Sequence, residues 1–309
     1  MKVLENRLKL EDKDRINPYL TSRDYDRVSF FSFPSLYMWR EEYDISWEIH
    51  GKYLLVATAN FMEDGQPPIF LLPPFSRDGE YDPESLREAV EYSRTRFLDK
   101  GLKMQLRLVP ETMQQALQAA FPHTFEKLQD RDNYDYIYQK EDLVNLTGRK
   151  YHSKKNHLNY FKNTYDYTYE KLTSGHKAEV LKFVEEYRKT KTMDPLEWQW
   201  LDMETRAIGD MMEHMEDLGL VGGAIRIDGE MVAFTIASQC CSDTYDINVE
   251  KAKAKIRGSY AAINNEFCSR LDENIVFVNR EEDMGIENLR KSKLSYRPLE
   301  LIEKSIVNV

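Results

Sequence analysis

Asp228-Gly229 lies between two apolar runs, Leu220 to Ile227 and Met231 to Ser238. A two-residue hairpin turn of the favoured type needs positive φ at both central positions. Asp-Gly meets that need at small steric cost, so the pattern predicts an antiparallel hairpin. The hairpin constrains what surrounds it. An amphipathic helix carrying Val180, Phe183, Val184 and Tyr187 precedes it. After it, Thr244 to Val249 reads as a third strand, Gly258 to Leu271 as a helix, Ile275 to Val278 as a strand, Ile286 to Lys293 as a helix and Leu299 to Glu303 as a closing strand.

The first half of the chain spells a similar order. Asp44 to Ile49 and Tyr53 to Ala59 flank the turn residues His50-Gly51-Lys52, and a third apolar run, Ile69 to Leu72, stops at Pro73-Pro74. Asp82-Pro83 supplies an N-cap with proline at the first helical position. Leu86, Ala89, Val90 and Phe97 follow at helical spacing, with Gly101 placed to end the helix. Leu102 to Val109 is a strand candidate, Glu111 to Ala120 a helix and Tyr134 to Tyr138 a strand. Repetition of the order without obvious residue identity predicts duplication of one unit. The fold class expected is therefore α/β (α+β): two domains, each a mixed, mostly antiparallel sheet flanked by helices. The chain has 309 residues, enough for two domains of ordinary size, placed at 1–145 and 146–309. The joint, Asp142 to Gly148, is short and polar.

Charge and cysteine content narrow the function classes. A formal net charge of −10 disfavours a surface coated by nucleic acid or anionic lipid, while leaving room for a local basic patch. Cys240, Cys241 and Cys268 have no metal-site spacing, and an adjacent pair rarely makes a structural bridge, so a reducing compartment is the simpler expectation. The start of the chain has no apolar leader-like run, and no uncharged apolar stretch is long enough to span a bilayer. A soluble, cytoplasmic protein without integral membrane association is expected.

Candidate chemistry concentrates in the second half. Along the strand from Thr244, alternation puts Tyr245, Ile247 and Val249 on one face and Thr244, Asp246, Asn248 and Glu250 on the other. So polar a face fits either a solvent-facing sheet or a cleft lined by carboxylates. Lys251, Lys253, Lys255 and Arg257 then lead into Gly258-Ser259-Tyr260-Ala261 and a helix. A cationic loop ending at a glycine before a helix N-terminus suits an anion, because free backbone N–H groups and the dipole favour phosphate. The alternative is a solvated lysine loop with a glycine turn. If phosphate approaches there, Gly258→Val should weaken donor binding more than folding.

Lys255-Ile256-Arg257-Gly258-Ser259-Tyr260-Ala261 resembles, in degenerate form, the pyrophosphate-binding signature of the GNAT fold, with Lys in the first place and Tyr where a small residue belongs. A closer resemblance is to the bacterial DUF2156 group, related to the C-terminal catalytic domain of phosphatidylglycerol lysyltransferases and more distantly to the Fem aminoacyltransferases. It is carried by the segment from Gly148 to Leu158, by Glu250-Lys251-Ala252, by Asn279 to Tyr296 and by Trp39-Arg40-Glu41. The resemblance implies tandem GNAT-like domains and transfer of an acyl or aminoacyl group from coenzyme A, another small-molecule or acyl-carrier donor, or aminoacyl-tRNA, to an amine or hydroxyl.

Such a transfer needs a held donor, a deprotonated acceptor and an acid for the leaving group. Glu250 is the expected base or amine-positioning group, with Asp246 second. Aligning Leu294-Ser295-Tyr296 with the usual end of a GNAT domain puts Lys291 where many such enzymes carry a tyrosine acid. Lys253, Lys255, Arg257, Gly258, Ser259, Tyr260, Asn279 and Arg280 are the expected donor-binding residues. Asn279 to Asp283 also reads as an ion-pair network closing a strand end. The stretch Arg149, Lys150, Lys154 and Lys155, extended by Lys162 and interleaved with Tyr151, His152, His157, Tyr160 and Phe161, suits a tRNA end, through phosphate contacts and stacking. It equally suits an amphipathic helix with solvated lysines, which the acidic total favours. A non-catalytic binding protein on a degenerate GNAT scaffold is the rival function.

No metal is expected, since His152 and His157 are five apart and off the spacing for two ligands on one helix face. Met203, Met211, Met212 and Met215 read as helix packing, and Trp198 and Trp200 as core or as lining for an acceptor pocket.

Overall fold

The structure, a computed structural model, describes residues 2–23, 26–59, 69–191 and 195–309. The chain divides into two compact units. One holds Met1–Asp135, Glu282–Ile286 and Leu301–Val309, the other Tyr136–Glu281 and Glu287–Glu300.

The first unit begins with β1 (Asn6–Arg7), α1 (Lys13–Leu20) and α2 (Phe33–Met38). β2 (Ser46–His50) and β3 (Tyr53–Ala57) form the expected hairpin, closed by Gly51-Lys52 with His50 opposite Tyr53. β4 (Phe75–Ser76) completes a sheet of order β1-β2-β3-β4. Every residue of β3 is buried, which explains its unbroken apolar run. The run Ile69 to Leu72 makes no strand. Only Leu71 bridges, to Ala57 on one side and Leu106 on the other, because Pro73-Pro74 supplies no N–H to extend the ladder. α3 (Pro83–Leu98) starts as the caps predict, with the Asp82 carboxylate accepting from Ser85 N at 2.8 Å. β5 (Leu106–Pro110), α4 (Glu111–Ala120) and β6 (Glu126–Gln129) follow. β6 has four exposed residues and so no apolar signal.

The second unit is built on a sheet to which β7 (Asp135–Gln139) and β8 (Tyr167–Lys171) belong. Between them lie α5 (Lys140–Asn145) and α6 (His152–Thr164). α7 (Lys177–Lys189), α8 (Pro195–Glu213) and α9 (Met215–Leu218) lead to β9 (Val221–Ile227) and β10 (Glu230–Cys241), which turn at Asp228-Gly229 as expected. β11 (Thr244–Ala252), α10 (Ser259–Cys268), β12 (Phe277–Asn279), α11 (Glu287–Leu294) and β13 (Glu300–Ile302) follow, giving the order β13-β7-β12-β11-β10-β9-β8. Leu158 and Phe161 of α6 pack with Ala261, Ala262 and Ile263 of α10 over Ile225, Val232 and Ala252.

The last strand, β14 (Lys304–Asn308), enters the first unit between β5 and β6. Its Lys304 is 1% exposed and pairs at 2.8 Å with Asp135, which also accepts from Ser29 N and Oγ. The compact units therefore differ from the 1–145 and 146–309 division. Tyr136–Asn145 lies in the second unit, where β7 pairs with β12, and Leu301–Val309 in the first, where β14 pairs with β5 and β6.

Candidate active site

β12 runs parallel to β11 from Thr244↔Phe277 to Asp246↔Asn279. β11 then continues to Ala252 against β10, with a bulge at Asn248 where the register moves from Ile236↔Val249 to Ala237↔Ile247. Beyond Asp246, the β12 side of β11 is therefore filled by side chains. The chain leaves β12 in a tight turn, in which Asn279 Oδ1 accepts from Glu281 N at 2.7 Å and Glu281 takes φ +56°. From this turn Arg280 reaches back to β11, donating from Nη2 to Glu250 Oε1 at 2.7 Å. Asn264 of α10, 1% exposed, donates to Glu250 Oε2 at 3.0 Å.

Two rings and two more lysines complete the cluster, all within the second unit. The Arg280 guanidinium carbon is 4.7 Å from the ring centre of Tyr296 and 5.7 Å from that of Tyr138. Lys154 Nζ, from α6, is 4.1 Å from the Tyr296 ring centre, so two cations share one aromatic ring. Lys293 donates to the Arg280 carbonyl, and Tyr138 Oη donates to the Lys293 carbonyl at 2.8 Å. Arg280 Nη1 and Asn264 Oδ1 are buried with no hydrogen-bond partner among the described residues.

Burial is the largest influence on Arg280 and opposes its charge, but Glu250, Tyr138 and Tyr296 together outweigh it and hold the guanidinium above its ordinary pKa. Lys154 is pushed down to about 8, first by burial and then by Arg280, with Glu250 opposing. The phenols of Tyr296 and Tyr138 are raised by burial against the pull of Arg280, so both rings stay neutral at physiological pH. Burial lifts the Cys268 thiol to about 12, which excludes it as a thiolate nucleophile.

The expected residues distribute unevenly around this cluster. Glu250, Arg280 and Asn279 belong to it. Asp246 is fully buried and accepts from Asn248 Nδ2 at 3.1 Å, so the polar face of β11 is interior and the solvent-facing alternative falls. Lys291 is 68% exposed and pairs with Glu287 one turn away on α11. Lys253 pairs with Glu186 and Glu230 at 3.4 and 3.5 Å, Lys255 is exposed, and Arg257 lies over Tyr160 at 4.3 Å. Ser259 is buried and donates to the Lys253 carbonyl at 3.1 Å, and Tyr260 meets the Tyr187 hydroxyl at 3.4 Å. Gly258 does take a left-handed φ of +87°, but a Cβ there would lie 2.3 Å from the His157 carbonyl oxygen and 2.9 Å from Phe161 Cβ. The missing side chain makes room for α6. Arg149 and Lys155 are exposed, and Lys150 pairs with Asp142 at 3.5 Å.

Sequence reasoning grouped Lys154 with its basic neighbours and passed over Tyr138, Asn264 and Tyr296 as site residues. A signal for Lys154 was present: Tyr151, Lys154, Leu158 and Phe161 recur at i, i+3, i+7 and i+10, the inward stripe of α6 and the turn that leads into it. Asn264 similarly interrupts the buried run Ala261, Ala262, Ile263 and Phe267. Among the described residues, no group of three or more His, Cys, Asp and Glu could hold a metal ion, and no helix is long and apolar enough to cross a membrane.

The family model for the C-terminal region of phosphatidylglycerol lysyltransferases matches residues 23–308. The chain belongs to that family. Among solved structures it is similar to a conserved protein of unknown function from Bacteroides thetaiotaomicron, with 32% identity, 98% of both chains covered and a TM-score of 0.87. It is also similar to L-PGS from Bacillus licheniformis, at 12% identity over 99% of this chain and 93% of that one, TM-score 0.64. A tandem GNAT protein from the clavulanic acid pathway matches at 9% identity over 97% of each chain, TM-score 0.52. A curated protein, uncharacterized, from Mycoplasmoides gallisepticum is 25% identical over 177 residues, and the match spans 57% of this chain and 56% of that one. The fold is the tandem GNAT-like α+β arrangement read from the sequence. Family membership supports an aminoacyl transferase at the level of reaction class.

Proposed function

We propose that this chain moves an aminoacyl group from the ester of an aminoacyl-tRNA to a hydroxyl or amine acceptor, with the chemistry at the Glu250–Arg280 pair. The observation that carries the reading is the convergence of that buried pair with Lys154, Asn264 and Tyr296 where β11 has left β12. In the reaction the acceptor oxygen or nitrogen bonds to the ester carbonyl carbon, and the bond to the ribose oxygen breaks. Negative charge builds on the carbonyl oxygen, and a fixed guanidinium in a dry site stabilises such charge better than mobile water does. Arg280 Nη1 and Asn264 Oδ1 supply one unmatched donor and one unmatched acceptor, the complement of an amino ester with its carbonyl and its N–H groups.

Coenzyme A is the less favoured donor. His157 and Phe161 occupy the Cβ direction of Gly258 and Ser259 is turned into the protein, which supports a donor held elsewhere. The family's description makes lysyl-tRNA with phosphatidylglycerol vesicles the first pair to test, and free amines the second. The purified chain, given donor labelled on the amino acid, is expected to put label into one acceptor and none into controls with acetyl-coenzyme A. Turnover of acetyl-coenzyme A alone would overturn the donor assignment. Tight binding of aminoacyl-tRNA without transfer to any acceptor would select the non-catalytic binding protein instead.

A further inference from the structure

We propose that neutral Lys154 takes the proton from the attacking acceptor group and returns it to the leaving ribose oxygen. The inference rests on the transferase reading above and supplies the step that reading leaves open. Glu250 is poorly free to do it: Oε1 accepts from Arg280 and Oε2 from Asn264, so its carboxylate holds the guanidinium. Lys154 differs in geometry. Its Nζ sits over the face of Tyr296, the ring that Arg280 also covers, and forms no ion pair among the described residues. Burial takes the ammonium form out of water, Arg280 crowds it with a like charge, and the Glu250 carboxylate that opposes both already serves Arg280.

The groups facing Lys154 all act in that sense or are engaged elsewhere. Arg280 follows β12, Glu250 stands on β11 and Tyr296 follows α11. α6 itself carries no Asp or Glu. Glu266 of α10 is bound by Lys162 at 3.0 Å and Arg270 at 2.6 Å, and the Lys293 ammonium by the Arg280 carbonyl. An amine poised near neutrality both accepts and releases a proton readily. The balance closes. The acceptor O–H or N–H gives its proton to Nζ as the new bond to carbon forms. The tetrahedral species then expels the ribose oxygen, which takes the proton back, and the lysine ends neutral.

The test uses the full chain in the labelled-donor assay across pH 6 to 10. The wild-type rate should rise about tenfold per pH unit and level off near the point at which Lys154 becomes neutral, about pH 8. Lys154→Arg keeps the charge and the ring contact but never releases its proton, so the rate should fall about 10²- to 10⁴-fold and the rising limb should disappear, with donor affinity unchanged. Competitive acylation of lysines, read peptide by peptide in the wild type, needs no variant. It should give Lys154 a midpoint near 8, and an ordinary midpoint above about 10 would overturn the inference. A fully active Lys154→Arg with its pH limb intact would overturn it too, and would leave the transferase reading standing. A wild type inactive with every donor and acceptor would instead remove that reading and this one with it.

Discussion

Gly258 illustrates how one residue type serves two physical ends. A left-handed φ of +87° and a close neighbour both demand glycine, but the neighbour is the His157 carbonyl at 2.3 Å from the Cβ position, so the demand comes from helix packing. Gly258→Val should therefore lower stability by about 3 kcal/mol or more, from backbone strain plus overpacking between α6 and α10. Urea unfolding checks this, and Gly258→Ala should lose most of the same amount. A stable valine variant that has lost donor binding would restore the phosphate reading. Lys154 shows the opposite case, in which neighbours in sequence mislead. Lys155 points to solvent while Lys154 lies over Tyr296, because adjacent positions on a helix are about 100° apart.

At the scale of elements, α6 divides its basic residues by face. Lys162 is held by Asn265 and Glu266, at 3.1 and 3.0 Å, which leaves Arg149 and Lys155 as exposed cations suited to a phosphate backbone. Lys155→Gln should reduce the slope of log affinity for aminoacyl-tRNA against log salt by about 1, while Lys154→Gln should leave that slope nearly unchanged and alter the pH profile. Fluorescence titration at several salt concentrations separates the two. An equal effect from both lysines would mean that Lys154 turns outward to the ligand. The strand β11 makes a related point about alternation. Its polar residues were identifiable from the period of two, yet their burial was not, because it depends on Asn248 donating to Asp246 at 3.1 Å and on Arg280 pairing with Glu250.

Across the whole molecule, the first unit is assembled from residues far apart in sequence. Ser29, Asp135 and Lys304 meet in one buried network: Lys304 Nζ is 2.8 Å from Asp135 Oδ1, and Asp135 also receives both Ser29 N and Oγ. Removing the cation strands a buried carboxylate, so Lys304→Met should cost about 3 to 5 kcal/mol. Hydrogen exchange should speed up first in β14 and its partners β5 and β6. Unchanged protection there would show that the strand is held by its ladder and apolar contacts alone.

The sequence by itself determined the local elements and much of their order. The hairpin at Asp228-Gly229, the cap at Asp82-Pro83 and the helix Glu111–Ala120 depend on the φ preferences of a few residues and on periodicity over short windows. Glu250 stood out on the polar face of its strand, and Arg280 through the resemblance carried by Asn279 to Tyr296. Only the tertiary structure decided that β7 joins the sheet of the second unit, that β14 returns to the first unit, that Gly258 faces a helix and that Lys154 shares a ring with Arg280. Those outcomes depend on which distant segment supplies a hydrogen bond, a filled volume or a like charge. A strand's own residues carry no record of the partner that completes it.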